Sequence, residues 1–193
     1  VRHFETIGAG IDEATIDLQD AEGIFQTLRA AQYAASYGKL LAEHRDLMKP
    51  DLVWNIEKGQ RLSVADVNQA EQARGALYNR TTAFFQRYDL LVSPAVLVPP
   101  YDVDLPYITE AGGVKFGNYV SWLVMSFALT LTACPSISVP CGFTASGLPV
   151  GLQITAPRAN EAALLSAAAL FEQATDLKGG VPIDPIIRHE VGA

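Results

Sequence analysis

Apolar and polar positions change period several times along this chain, and each change marks a predicted element. The alternation in "IDEATIDL", within Gly8–Leu18, predicts a short strand, and Asp17 or Asp20 stands where it could cap the next element. From "AEGIFQTLRAAQYAASYGKLLAEHRDLM" a long helix is expected. Ile24, Leu28, Ala31, Ala35 and Tyr37 fall near one face, and Pro50 closes the segment. "MKPDLVWNIEKGQRL" reads as a connector with a helical turn. Ser63 and Asp66 then have capping-box spacing, with Asp in place of the usual Glu or Gln. They open a predicted helix over 64–87 whose inward face is Val67, Ala70, Leu77, Tyr78, Thr81, Phe85 and Tyr88. Arg74 falls near the centre of that face on a helical wheel. A buried unpaired charge is costly, so Arg74 is expected to pair with Asp89 or Glu57 and lock the helix to the next strand. A clamp for a substrate carboxylate is the other reading.

"YDLLVSPA" predicts a buried strand at about 89–94, ended by Pro94. Prolines and Gly112-Gly113 make the stretch after it a loop. An uncharged helix is expected over 117–132, then a hairpin with strands near 136–143 and 148–156. Asn160 is placed to cap a last helix that runs to about Ala174, and the tail from Lys178 reads as irregular. Helices alternating with buried strands define an α/β class, with helices packed on a mixed β-sheet. The prolines and glycines inside the hairpin strands signal bulges or close backbone approach.

The hairpin lies in an uncharged tract, for Phe116–Pro157 contains no Asp, Glu, Lys, Arg or His. Phe116–Ala133 is just long enough to cross a bilayer, but it holds Gly117, Asn118, serines and threonines, and Pro135 follows at once. A helix buried in a protein core is expected, and no membrane contact. Hydrophobic residues make up 49% of the chain and charged ones 18%, which suggests burial against more than the chain itself offers. A net charge of −7 without any basic stretch excludes a direct nucleic-acid footprint. Cys134 and Cys141 form no metal-type pair, and His3, His44 and His189 lie far from them. A reducing, cytoplasmic setting is therefore expected, with no metal site. The opening Val1-Arg2-His3 suggests a piece of something longer.

Signatures of chemistry are missing. Gly8–Gly10 lacks the third glycine of a dinucleotide loop, and no P-loop, HExxH or GxSxG occurs. Cys141 has only uncharged neighbours for many residues on either side, so it reads as a small buried hydrophobe, not a nucleophile. Asp102 and Asp104 read as solvated loop acids.

One longer pattern is more specific. "YDLLVSPA", a charge-poor helix, "PSISVPCGFTASGLPVGLQI" and "NEAALLSAAALFEQA", in that order, resemble the carboxy-terminal part of the amidase signature family. "ARGALYNRTTAFFQRYDLL" and "PDLVWNIEKGQRLS" fit the same family. The hairpin is the most specific element, through Pro140, Cys141, Gly142, Leu148, Pro149, Val150, Gly151 and Gln153.

The resemblance implies an amide C–N hydrolase that uses a Ser–Ser–Lys triad and an acyl-enzyme, one serine following a cis peptide, with no cofactor. The Gly-Gly-Ser-Ser stretch that carries the nucleophile in such enzymes is absent here, so no catalytic residue is expected in this chain. Residues 1–193 are read as one carboxy-terminal segment, inactive alone, whose apolar face packs on the missing amino-terminal half or self-associates.

In the family the charge-poor helix lines the acyl pocket. The matching positions are Val120, Leu123, Phe127 and Thr130, with Tyr119 and Trp122 as flanks. Their spacing puts the four on one helical face, where ordinary core packing is the other reading. Glutamine-using amidotransferase members hold the substrate's charged end with an acid in this helix and an arginine upstream. Here 116–133 has no acid, Leu123 falls at about that place, and no arginine stands at Lys49–Pro50. A neutral, apolar or aryl amide is the implied substrate. The A subunit of a glutamine-dependent tRNA amidotransferase and a non-catalytic scaffold module are the alternatives. The chain also departs from the family's Asn-x-x-Gly-x-Pro, carrying Thr130 and Ala133 at the Asn and Gly places.

Overall fold

A computed structural model describes residues 2–175 and Leu177; the tail expected to be irregular lies outside the described residues. The chain opens with a short helix α1 (Arg2–Thr6) and then runs without regular structure to Asp20. The strand expected within Gly8–Leu18 does not form. Its alternation is nonetheless real, since Ala14, Ile16, Leu18 and Asp20 are half-buried while the residues between them are exposed. The segment lies alongside a later helix, where no strand offers it a ladder.

Helix α2 (Ala21–His44) begins after Asp20, and a 3₁₀ turn at Arg45–Leu47 ends that arm. Asp20 occupies the N-cap position without capping through its side chain. Its carboxylate pairs instead with Arg80, whose Nε also donates to the Asp17 carbonyl at 3.1 Å.

Pro50 does not close a helix; it opens one. Helix α3 (Pro50–Gln60) replaces the expected connector. Proline at the first helical position has no N–H to leave unpaired and arrives with helical φ. Helices α2 and α3 touch so closely that a Cβ on Gly59 would stand 1.9 Å from the Ala30 carbonyl oxygen. Only glycine permits this crossing.

Helix α4 (Val64–Phe85) starts as expected. The Asp66 N–H donates to Ser63 Oγ at 3.2 Å, and the Ser63 N–H donates back to Asp66 Oδ2 at 2.8 Å. The Ser63 hydroxyl also donates to Asp66 Oδ2, at 2.7 Å, and this bond first, then the one from the Ser63 N–H, holds the Asp66 carboxyl below its ordinary pKa. Ala70, Leu77 and Thr81 form the buried stripe. Arg74 lies outside it, 48% exposed, and pairs with Glu71 one turn back at 2.7 Å. Glu57 pairs with Arg45 at 2.6 Å. Arg74 therefore neither locks α4 to a strand nor clamps a carboxylate. The stripe that packs is narrower than the apolar face on the wheel, and Arg74 sits on its rim.

Strand β1 (Leu91–Pro94) follows. Inside the expected loop a two-by-two-residue hairpin forms, β2 (Glu110–Ala111) with β3 (Val114–Lys115). Gly112 and Gly113 both adopt positive φ, +56° and +80°, as a tight hairpin turn requires. The uncharged helix is much shorter than expected: a 3₁₀ turn at Ser121–Leu123, then α5 (Val124–Thr130). Asn118 Oδ1 accepts from the N–H groups of Val120 and Ser121, which delays the helix, and Ala133 ends it at φ 58°. Among the described residues no helix is long and apolar enough to cross a membrane.

Strands β4 (Ser136–Phe143) and β5 (Pro149–Thr155) make the expected hairpin, and α6 (Glu161–Thr175) closes the described chain. The main sheet has the order β1-β5-β4, and every pairing in it is antiparallel. Helices packed on a sheet are thus as expected, while no parallel pair occurs among the described residues. The register slips between Pro140 and Gly142, so Cys141 is the extra residue of a bulge and Gly142 takes φ 144°. At Gly151 a Cβ would come within 3.1 Å of both Ala95 Cβ and Ser138 Oγ, the close approach its position suggested.

One face of the sheet is dry. Val139 and Ile154 pack with Phe4 of α1 and Leu164, Ala168 and Phe171 of α6. The Phe4 and Phe171 rings stack at 4.9 Å. A second core joins Ala21 and Ile24 of α2, Leu77 of α4, and Val120, Phe127 and Ala128.

A neutral cavity on the polar face of the sheet

The opposite face of the sheet is polar because the side-chain period of a strand is two. Register places Ser93, Gln153 and Ser138 in one cross-strand row, and Leu91, Thr155 and Ser136 in the next. The hydroxyls of Ser136 and Thr155 share a hydrogen bond of 2.8 Å. Ser93 Oγ is buried without a hydrogen-bond partner among the described residues. Gln153 is only 7% exposed.

A cavity of about 340 Å³ opens over this face, between the end of α5 and the hairpin. Ser126, Thr130, Cys134, Ser136, Ser138 and Gln153 line it together with Ile137. These residues carry hydroxyl, thiol and amide groups, and among the described residues no charged side chain lines the cavity. Such a lining can donate and accept hydrogen bonds to a neutral polar group and offers no ionic anchor. The Thr130 hydroxyl already donates to the Phe127 carbonyl at 2.7 Å. A second cavity, of about 470 Å³, lies beyond Cys134, with Tyr78, Phe85 and Arg158 in its wall.

Of the four positions predicted to line an acyl pocket, Thr130 is the one that reaches the cavity. Val120, fully buried, and Phe127, 3% exposed, lie in the helical core behind it. Phe127 stacks on Phe25 at 4.5 Å. Leu123 is half-buried against the same cluster. The expected continuous helix would have carried all four on one face; the 3₁₀ turn at 121–123 breaks that periodicity. Trp122 contacts Tyr101, and Tyr119 turns toward α2 and α3. The residues that sequence reasoning missed are Ser126, Cys134, Ser136, Ser138 and Gln153. Their signal was present in the polar alternation of Ser136 and Ser138 on β4, opposite Gln153 on β5.

Cys141 packs beside the dry core, and burial pushes its thiol pKa up, away from nucleophilic use. Asp102 and Asp104 are exposed, as expected of loop acids. Among the described residues no group of three or more His, Cys, Asp or Glu is arranged to hold a metal ion. Two alanines adopt left-handed backbone, Ala133 and Ala159, with φ of 58° and 60°. Ala133 is where the family pattern carries glycine, so the departure seen in the sequence is a conformational cost in the turn beside the cavity.

This architecture matches known proteins. The family model Amidase matches residues 12–165. The chain is 31% identical over 188 residues to an acylamidase of Rhodococcus erythropolis, covering 95% of this chain and 39% of that protein. It is 28% identical over 183 residues to the A subunit of glutamyl-tRNA(Gln) amidotransferase from Synechococcus sp. (strain CC9902), covering 91% of this chain and 35% of that one. Among solved structures, that of a bacterial aryl acylamidase of the amidase signature family superposes with a TM-score of 0.78 at 22% identity, covering 94% of this chain and 41% of its own. A crystal structure of an amidase gives a TM-score of 0.82 at 20% identity, covering 90% and 40%. The chain thus spans well under half the length of each of these relatives. With the family model matched over most of its length, this chain belongs to the amidase signature family.

Proposed function

We propose that this chain forms one wall of the substrate cleft of an amidase, an enzyme that hydrolyses a neutral carboxylic amide. The observation that carries the reading is the 340 Å³ cavity with its hydroxyl, thiol and amide lining and no charge. A neutral acyl or aryl amide can hydrogen-bond there without leaving a buried ion unpaired. Thr130 borders the acyl pocket, and Val120, Leu123 and Phe127 are the packing that supports its wall.

The sequence holds no Gly-Gly-Ser-Ser stretch, so the Ser–Ser–Lys triad is supplied from outside these 193 residues. In that arrangement a neutral lysine takes the proton of the nucleophilic serine through the middle serine. The serine oxygen attacks the amide carbon, the C–N bond breaks, and the amine leaves carrying the relayed proton. Water then hydrolyses the acyl-serine. No cofactor enters this scheme. Strands β1 and β4 each carry an unpaired edge among the described residues, where the rest of the sheet would join. That partner half, or a second copy of the chain, would cover the exposed apolar residues. The cytoplasm suits its two free thiols.

The A subunit of a tRNA amidotransferase is the competing reading, supported by the 28% identical relative. The acid-free stretch 116–133 and the net charge of −7 weigh against a charged glutamine and direct tRNA contact. The test has two arms. The chain of 193 residues is treated with a fluorophosphonate and should remain unlabelled; stoichiometric labelling would overturn the reading. The full-length gene product is assayed on a panel of amides. Turnover of aryl or acyl amides with none of glutamine supports it, glutamine turnover transfers the protein to the amidotransferases, and no turnover at all leaves the scaffold reading.

A further inference from the structure

The segment that leads into α5 is held against α2 and α3 by hydrogen bonds. The Tyr119 hydroxyl accepts from Arg29 Nη2 at 3.0 Å and from Asn55 Nδ2. Asn55 is 2% exposed, and the same Arg29 nitrogen also donates to the Tyr33 hydroxyl at 3.0 Å. The Arg29 guanidinium lies 4.7 Å from the Tyr33 ring centroid and 5.6 Å from that of Tyr119. Two residues on, the Ser121 hydroxyl donates to Glu22 Oε1. Gln26 Nε2 donates to that same carboxylate oxygen at 2.8 Å, and Lys58 Nζ donates to Gln26 Oε1 at 2.7 Å. Burial raises the pKa of the Tyr119 phenol, so its hydroxyl keeps its proton at neutral pH.

These contacts bridge a rigid part and a weak one. Helices α2 and α3 are interlocked at Gly59 and Ala30. Helix α5 has seven residues, too few to hold its own place. Apolar packing of Val120 and Phe127 keeps it against the core, but such packing is not directional. Hydrogen bonds to charged and buried partners are. Helix α5 carries Ser126 and Thr130 into the cavity.

We infer that Tyr119 and Ser121 are positioning residues that set where Ser126 and Thr130 stand in the cavity, a role that rests on the reading of that cavity as the amide site. Neither is among the residues that line the cavity; both act through the helix that follows them.

The test uses the full chain and its two thiols. Cys134 lines the cavity, whereas Cys141 packs beside the dry core of the sheet, and both are half-buried and free. Alkylation by N-ethylmaleimide is followed at each cysteine by peptide mass spectrometry. In Tyr119→Phe, which keeps the ring beside Trp54 and Tyr107 but loses the bonds from both Arg29 and Asn55, the Cys134 rate should rise at least about fivefold, the factor that corresponds to a single lost hydrogen bond. The Cys141 rate should stay within about twofold, inside the scatter of context effects. Ser121→Ala should act likewise, and Ser121→Thr, which keeps a hydroxyl, should restore the wild-type Cys134 rate. If Tyr119→Phe does not fold, the Ser121 pair decides. An unchanged Cys134 rate overturns the inference. So does a parallel rise at both cysteines, which would mean general loosening. Alkylation requires no turnover, so this result is independent of whether amides are hydrolysed.

Discussion

The two cores of this protein are built from different materials. The core under the sheet contains Phe4, Val139, Ile154, Leu164, Ala168 and Phe171 and is purely apolar. The helical core begins the same way, with Ile24, Leu77, Val120 and Phe127, but its edge is a polar cluster in which Arg29, Asn55, Lys58 and Tyr119 take part. The sheet needs no such cluster because its ladder already fixes register and direction. The short helix beside it has no ladder, so directional contacts come from side chains instead. Apolar burial supplies most of the stability in both places, while hydrogen bonds decide position. The neutral cavity lies between the two, with one wall set by each device.

The largest effect should come from the dry core. Phe171→Ala removes the ring stacked on Phe4 and should cost about 3–5 kcal/mol, read by urea denaturation. A loss below about 1 kcal/mol would mean the sheet core is looser than its ring stacking implies. In the helical core, Gly59→Ala forces a methyl into the Ala30 carbonyl and should cost about 1–3 kcal/mol or more, with α2 and α3 parting. Equal thermal stability of this variant would remove the interlock on which the contrast rests.

A smaller change of opposite sign is expected at the cavity rim. Ala133→Gly relieves left-handed backbone and should stabilise by about 1 kcal/mol, raising Tm. Ala133→Val should lower Tm; an unmoved Tm in both would refute the strain.

The smallest effect is the pH dependence of the α4 cap. Hydrogen bonding to Ser63 depresses the folded-state pKa of Asp66. Its contribution is therefore present above the unfolded carboxylate value of about 4 and is lost as pH falls through the lower folded value. Asp66→Asn should be less stable than the wild type at pH 7, with the gap closing in acid. A gap that persists at pH 2 would assign the effect to something other than ionisation.

How legible was this in the sequence? The hairpin was fully so. Period-two alternation, the Pro140–Gly142 interruption and the small turn specified both strands, and the bulge followed. The capping box placed the start of α4 within a residue because Ser63 and Asp66 interact locally. The family pattern was also visible, since its glycines and prolines mark backbone demands that few sequences meet by chance. The misreadings share one cause. Pro50 is compatible with either end of a helix, and only the crossing of Ala30 over Gly59 showed α3 to be there. "IDEATIDL" alternates as a strand does, but a strand requires a neighbour to pair with, and α4 offered none.

Sequence alone, then, determined the hairpin, the start of α4, the apolar content and the family, because capping and turn chemistry act over a few residues. Tertiary structure alone decided that Arg74 faces solvent and that Val120 and Phe127 stand behind the cavity while Thr130 enters it. It also brought Tyr119 from one end of the uncharged tract to Arg29 and Asn55. Which of several apolar faces is covered, and which polar groups meet, depends on how helices and sheet pack across long sequence separations. Side-chain periodicity carries no record of that.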